Sequence, residues 1–221
     1  MKQIYYDSYL KIIDPHREVI ENIIDVMDQY NFEKEKTKLL DAGFSKSFLD
    51  LKKSIIKNDR KKYFSNDRAN TVCKTILDFN LNVTCNKKTK MLDLGCGYGE
   101  YASIFKSYGY DVIGTNAPFY NDDFIFVNKL LGIPYVLCDI RQKLPFADKQ
   151  FDIVFCIGVL TLQGMKGKIP FAANELKRVC KKQICLKIHE KMIDYHQLDM
   201  NNLFLGEEII GNKDHWVVNL Y

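Results

Sequence analysis

Ten residues, Met91-Leu92-Asp93-Leu94-Gly95-Cys96-Gly97-Tyr98-Gly99-Glu100, constrain this chain more than any others. An apolar strand pattern runs into alternating glycines, and a helical face (Tyr101, Ile104, Phe105, Tyr108) follows until Gly109. Glycine lets the backbone turn tightly there and come close to a ligand. The alternation then repeats. Apolar runs at 91–94, 111–114, 135–138, 151–157 and 183–188 are separated by helical faces. One face is Phe124, Val127 and Leu131, stopping at Gly132; another is Ala172, Leu176 and Val179, opened by Pro170. Strand, helix, strand, repeated, predicts an α/β doubly wound, mostly parallel sheet covered on both faces. Residues 216–221 alternate and are expected to form a closing antiparallel strand.

Upstream, Asp14-Pro15 reads as an N-cap with proline at the first helical position. Ile20, Ile23, Ile24 and Met27 continue one helix face behind it. Residues 31–64 are charge-rich and less regular. A further helix is expected from about Asp67, with Ala69, Val72, Cys73 and Ile76 on one side. The chain's 221 residues, 47% hydrophobic and 27% charged, suit one globular domain with a small appendage and exclude a disordered or collagen-like chain. A net charge of +4 does not by itself call for nucleic acid. No apolar run approaches the roughly 20 residues of a membrane span, and the first residues lack a signal-peptide core. The seven cysteines occur singly, without a C-x-x-C pair. Reduced thiols in a cytoplasmic setting are therefore expected.

The glycine segment is a poor dinucleotide loop. The third glycine of G-x-G-x-x-G would fall on Glu100, whose carboxylate would repel a pyrophosphate. Its pattern, apolar-apolar-Asp-apolar-Gly-x-Gly-x-Gly, resembles motif I of class I S-adenosylmethionine (SAM)-dependent methyltransferases. The second strand and its end, 111–116, and the Cys138-Asp139-Ile140 segment also fit that family. Residues 144–154, Leu-Pro-Phe-Ala-Asp-Lys-Gln-Phe-Asp-Ile-Val, are similar to the L-P-F-x-D-x-x-F-D-x-V segment of its type 11 (UbiE-like) subgroup. The match covers roughly residues 68–188.

The resemblance implies a Rossmann-like sheet of seven strands, a SAM-binding core over 67–221 and an N-terminal helical lid over 1–66. Only 32 residues follow His189, so the sixth strand or its helix is expected to be cut down. It also implies that Gly95, Cys96 and Gly97 lie against the cofactor's tail and ribose, with Asp93 organising the loop. The family carries an acid for the ribose hydroxyls where this chain has Asn116. An amide forgoes charge assistance worth on the order of 1 kcal/mol, so SAM binding is expected to persist but weaken. Asn116 is otherwise a turn residue before Pro118. Asp139 and the Ile140 amide would meet the adenine, unless Asp139 caps a helix from Arg141. Cys156 and Ile157 end the fourth strand, whose backbone there would stand near the SAM tail, and Asp148 reads as a turn residue.

Methyl transfer is an in-line displacement that needs alignment and exclusion of water. A hydroxyl acceptor benefits from a general base. His189, directly after the fifth strand, is the candidate, its plainer reading being a strand-end hydrogen bond. Thr161 and Gln163 could orient a substrate, and Tyr5, Tyr6, Tyr9 or Tyr63 could line a lid. Residues 158–168 hold no acidic side chain, which sets aside the arginine-methylating and metal-assisted catechol types. The fourth strand ends Cys156-Ile157-Gly158-Val159, without the Pro-Pro-aromatic signature of amino-methylating DNA enzymes. No metal ligand spacing appears. The expected activity is transfer to oxygen or nitrogen of a small-molecule acceptor, a sugar or phosphorylated metabolite, with no membrane partner. The basic residues between Lys46 and Arg68 read first as a solvated helix face, with an anionic small substrate or RNA as the alternatives. The rival readings of the activity are an RNA methyltransferase and a non-catalytic SAM-binding subunit.

Overall fold

The computed structural model describes residues 2–18, 20–21, 66–79, 88–118, 122–160, 162–212 and 214–221. The elements run α1 (Lys2–Ile13), α2 (Asn66–Asp78), β1 (Lys90–Leu94), α3 (Glu100–Ser107), β2 (Asp111–Asn116), α4 (Asp122–Leu130) and β3 (Tyr135–Leu137). There follow β4 (Phe151–Ile157), α5 (Ile169–Val179), β5 (Cys180–Lys187), α6 (Glu190–His196), α7 (Met200–Leu203), β6 (Glu208–Asn212) and β7 (His215–Asn219). The sheet order is β3-β2-β1-β4-β5-β7-β6. Neighbours from β3 to β5 pair in parallel, and β7 runs antiparallel between β5 and β6.

Successive strand residues feed opposite cores. Met91, Val112, Phe155 and Cys185 face a layer of α1, α2 and α3. Leu92, Val154, Cys156, Ile184 and Leu186 face α5 and the residues after β5. Burial on both sides explains why these strands read as unbroken apolar runs. Each fully buried Phe, Ile or Leu contributes roughly 1.5–3 kcal/mol relative to an exposed one. Phe155 sits at the centre of the first layer, ringed edge-on by Phe79 and Phe105.

Two expectations are corrected and a third is narrowed to one of its alternatives. The first helix begins at Lys2, well before Asp14, because Tyr6, Tyr9, Leu10 and Ile13 already recur on one face. Asp14-Pro15 starts a 3-10 turn, Asp14–His16, that lies between two helical stretches, and the Asp14 carboxylate pairs with Arg17. The sheet has all its strands, and the shortening after His189 falls on the helices, seven and four residues long. The third strand ends at Leu137, one residue before the expected limit. The expected α2 face is confirmed, with Ala69, Val72, Cys73 and Ile76 fully buried. The helix face at Ile23, Ile24 and Met27, the charge-rich stretch 31–64 and Tyr63 lie outside the described residues.

Candidate active site

The glycine loop is closed onto the end of β2. The Cys96 amide donates to the Thr115 carbonyl at 2.8 Å, and the Gly95 amide to Thr115 Oγ1 at 3.3 Å. The Gly97 amide donates to Asn116 Oδ1 at 3.1 Å. Asn116 Nδ2 donates to the Gly97 carbonyl at 3.2 Å and to Tyr135 Oη at 2.9 Å. Asn128, fully buried on α4, donates to the same Gly97 carbonyl at 2.8 Å. Thus two asparagines from separate elements grip one peptide. The left-handed backbone of Gly95 (φ 74°) and Gly97 (φ 56°) makes this path available to glycine at little cost. A Cβ on Gly95 would stand 2.2 Å from Val159 Cγ2, whereas among the described residues, chain neighbours aside, no atom lies within 4 Å of one on Gly97.

Above the loop lies a cleft of about 450 Å³ at the carboxyl ends of β1, β2 and β4. That volume is within the usual range for small-molecule sites, in the crevice where ligands of open α/β sheets bind. Gly95, Gly97, Asn116, Asp139 and Ile140 border it, together with Ile157 and Gly158. Phe124, Leu162 and Met165 add apolar walls.

Asp93, Cys96 and Cys156 do not border the cleft; all are buried behind it. Asp93 accepts the Ala102 amide at 3.1 Å and so ties the first turn of α3 to β1. Burial pushes its carboxyl up to about 7, against the pull of that amide. Burial also holds the Cys96 thiol well above its ordinary value, and the thiol donates to Asn128 Oδ1 at 3.5 Å. Both features fit a small packing residue and not a nucleophile. Cys156 is likewise pushed up, to about 12.

Asp139 caps no helix. Its Oδ1 accepts the Arg141 amide at 2.9 Å in a turn, and its carboxylate takes the Arg141 guanidinium at 2.6 Å. That guanidinium holds the carboxyl below the usual range. His189 is exposed at the N-cap of α6, where Nδ1 accepts the Lys191 amide at 3.3 Å, and it does not border the cleft. Asp148 is the exposed turn residue expected, paired with Arg178. Thr161 and the side chains of Tyr5 and Gln163 lie outside the described residues. Tyr9 is fully buried in the core.

Glu100, the residue that spoils a pyrophosphate site, is itself almost sealed. Arg68 donates to its two oxygens at 2.7 and 2.9 Å. Asn128, Tyr135 and Arg141 escaped the sequence reading. Asn128 did leave a signal, since an amide four residues after Phe124 and next to Val127 falls on the apolar face of that helix.

The model of the type 11 methyltransferase domain matches residues 92–188. Residues 92–188 form a class I methyltransferase domain. Nothing in the match singles out UbiE-like members. The solved structure of WbdD, bound to a kinase inhibitor, superposes on the chain with a TM-score of 0.52 at 16% identity. The superposition covers 67% of this chain and 40% of WbdD, and it shows the shared fold alone. A SAM-dependent methyltransferase from Methanosarcina mazei aligns at 16% identity and a TM-score of 0.48, over 62% of this chain and 92% of that one. No curated protein matches the chain by sequence.

SAM is the cofactor of this methyltransferase domain. The cleft fits it on two counts. Gly97 and Gly158 both border the cleft with open space where a side chain would stand. The apolar walls offer a flat ring the contacts it needs.

Proposed function

We propose that the chain transfers a methyl group from SAM to an oxygen or nitrogen of a small-molecule acceptor, a sugar or phosphorylated metabolite. The cleft over the glycine loop carries this reading. Gly95 and Gly97 would form its floor beneath the amino-acid tail and ribose. Asp139 and Ile140 would meet the adenine, with Asn116 at the ribose edge. Asp93, Cys96 and Cys156 would act from behind by fixing the loop and the strand ends. When bound, SAM supplies an electrophilic methyl on a sulfonium, so the protein has to align the acceptor and keep water out. His189 is the proton acceptor to test. Its Nδ1 is committed to the helix cap, so a proton would go to Nε2. Residues 1–66 would cover the acceptor side.

A small acceptor is favoured over RNA by the fate of Arg68. It is the one described member of the basic cluster between Lys46 and Arg68, and its guanidinium is spent on Glu100. No helix among the described residues is long and apolar enough to cross a membrane.

The test uses the full chain with methyl-labelled SAM and either pooled small metabolites or RNA. Label should enter the metabolite fraction. Label confined to RNA, or no transfer by a chain that binds the demethylated product, S-adenosylhomocysteine (SAH), would overturn the reading. His189→Ala should slow transfer about 100-fold, the lower range for loss of a general base, and leave SAH affinity unchanged. Full activity would remove His189 from the chemistry.

A further inference from the structure

The geometry assigns Asn116 as a positioning residue: it holds the Gly97 peptide, and thereby the floor of the cleft, instead of contacting the ribose through its own amide. The inference rests on the SAM reading of the cleft.

Four observations carry it. Asn116 is only 4% exposed although it stands at a strand end beside an open cleft. Its amide is engaged on both sides: Oδ1 receives the Gly97 amide, and Nδ2 serves the Gly97 carbonyl, Tyr135 Oη and, at 3.6 Å, Cys96 Sγ. An Nδ2 has only two hydrogens, so these acceptors already exceed what it can satisfy fully. Finally, Asn128 grips the same carbonyl from α4. A side chain reaching for a ligand would first have to release Gly97, whose left-handed conformation the pair maintains.

The identity of the residue follows from this role. Both the amide donor and the carbonyl acceptor of one residue, Gly97, which lie in successive peptide groups, must be met by a single short side chain, and an amide does that. A carboxylate can accept from the Gly97 amide but faces its carbonyl with a second acceptor. Asn116→Asp therefore distinguishes the two roles by sign. If the residue read ribose hydroxyls, added charge would strengthen binding. If it positions Gly97, the same change weakens it.

Calorimetry with SAH and with its 2′-deoxy analogue tests the assignment on the full chain. Wild type must bind SAH; failure there would refute the SAM reading itself and not this inference. Given binding, Asn116→Asp should lower SAH affinity about tenfold, as loss of one or two hydrogen bonds dictates. The penalty for removing the 2′-hydroxyl should be the same in wild type and variant. Asn116→Ala and Asn128→Ala should each weaken binding, and together weaken it by less than the product of the two factors, because they share Gly97. A tighter-binding Asn116→Asp, a 2′-hydroxyl penalty that vanishes with Asn116, or independent effects of the two asparagines would each overturn the assignment. Each affinity is read well below the variant's melting temperature. A residue serving stability alone would lower the melt and leave the affinity untouched, which also overturns it. If Asn116 variants do not fold, Tyr135→Phe removes one anchor of the amide at constant volume. It should cost about threefold in SAH affinity with the 2′-hydroxyl penalty unchanged; no cost, or a changed penalty, refutes the role.

Discussion

Two neighbouring strand ends place a polar side chain beside the same cleft and treat it in opposite ways. At the end of β2, Asn116 is nearly sealed, and its neutral amide is bound to the loop and to β3. Just past β3, Asp139 keeps its charge and is held by Arg141, a partially exposed side chain two residues away. A buried network of neutral groups with fixed partners enforces one geometry. A charged pair near water is screened and worth little in stability. On the proposed reading of the cleft, the β2 corner sets the shape of the site and the β3 corner adjusts how strongly it binds.

The strongest way to break this contrast is to fill the floor. Gly97→Arg would send a long side chain into the open space above the loop. SAH binding should fall by more than about 100-fold, while the left-handed backbone costs only about 1–2 kcal/mol of stability. Calorimetry alongside a thermal melt checks both, and wild-type affinity in the variant would show that the floor lies elsewhere.

A second, intermediate effect probes the groups behind the loop. The buried Asp93 carboxyl, pushed up to about 7, keeps a proton that the unfolded chain releases near pH 4. The folded state then binds more protons between these values, so stability falls as pH rises from about 4 to 7 and levels off above. The slope approaches one proton, about 1.4 kcal/mol per pH unit. Urea midpoints between pH 5 and 8 should show it, and Asp93→Asn should flatten it. A wild type without that slope would mean that Asp93 is ionised throughout.

The smallest effect belongs to the charged corner. Arg141→Ala frees the Asp139 carboxylate and should raise SAH affinity about two- to threefold at low ionic strength, with a smaller gain in 0.5 M salt. A tenfold loss instead would show that the guanidinium itself supports the ligand.

The parts of this molecule set by local repetition were legible in the sequence. The parallel strands, α2 and the turn at Gly95–Gly99 follow from apolar period and glycine placement, and of the antiparallel edge only the last strand left a pattern of its own, the other following from the family resemblance. What escaped was set by tertiary pairing. Nothing local to Asn116 tells that Tyr135 and Gly97 will take its amide. Nor does anything local to Glu100 reveal that Arg68, 32 positions earlier, will neutralise it. Helix α1 was missed for a different reason. Asp14-Pro15 carries the signature of a helix start, yet it marks a 3-10 turn within a longer helical run. Cys96, in the glycine loop, and Cys156, at the end of β4, both turn their side chains into the protein and away from the cleft, which nothing local to either residue announces.

Helix α1 also bears on how the protein can be cut. Tyr9, Ile13 and Ile20 are fully buried in the same core as Phe155 and the helices flanking β1. A fragment starting at α2 would expose that apolar surface to water and lose several side chains' worth of burial energy. The catalytic fold and its opening helix therefore behave as one unit, and a minimal expressible version of this enzyme must retain both.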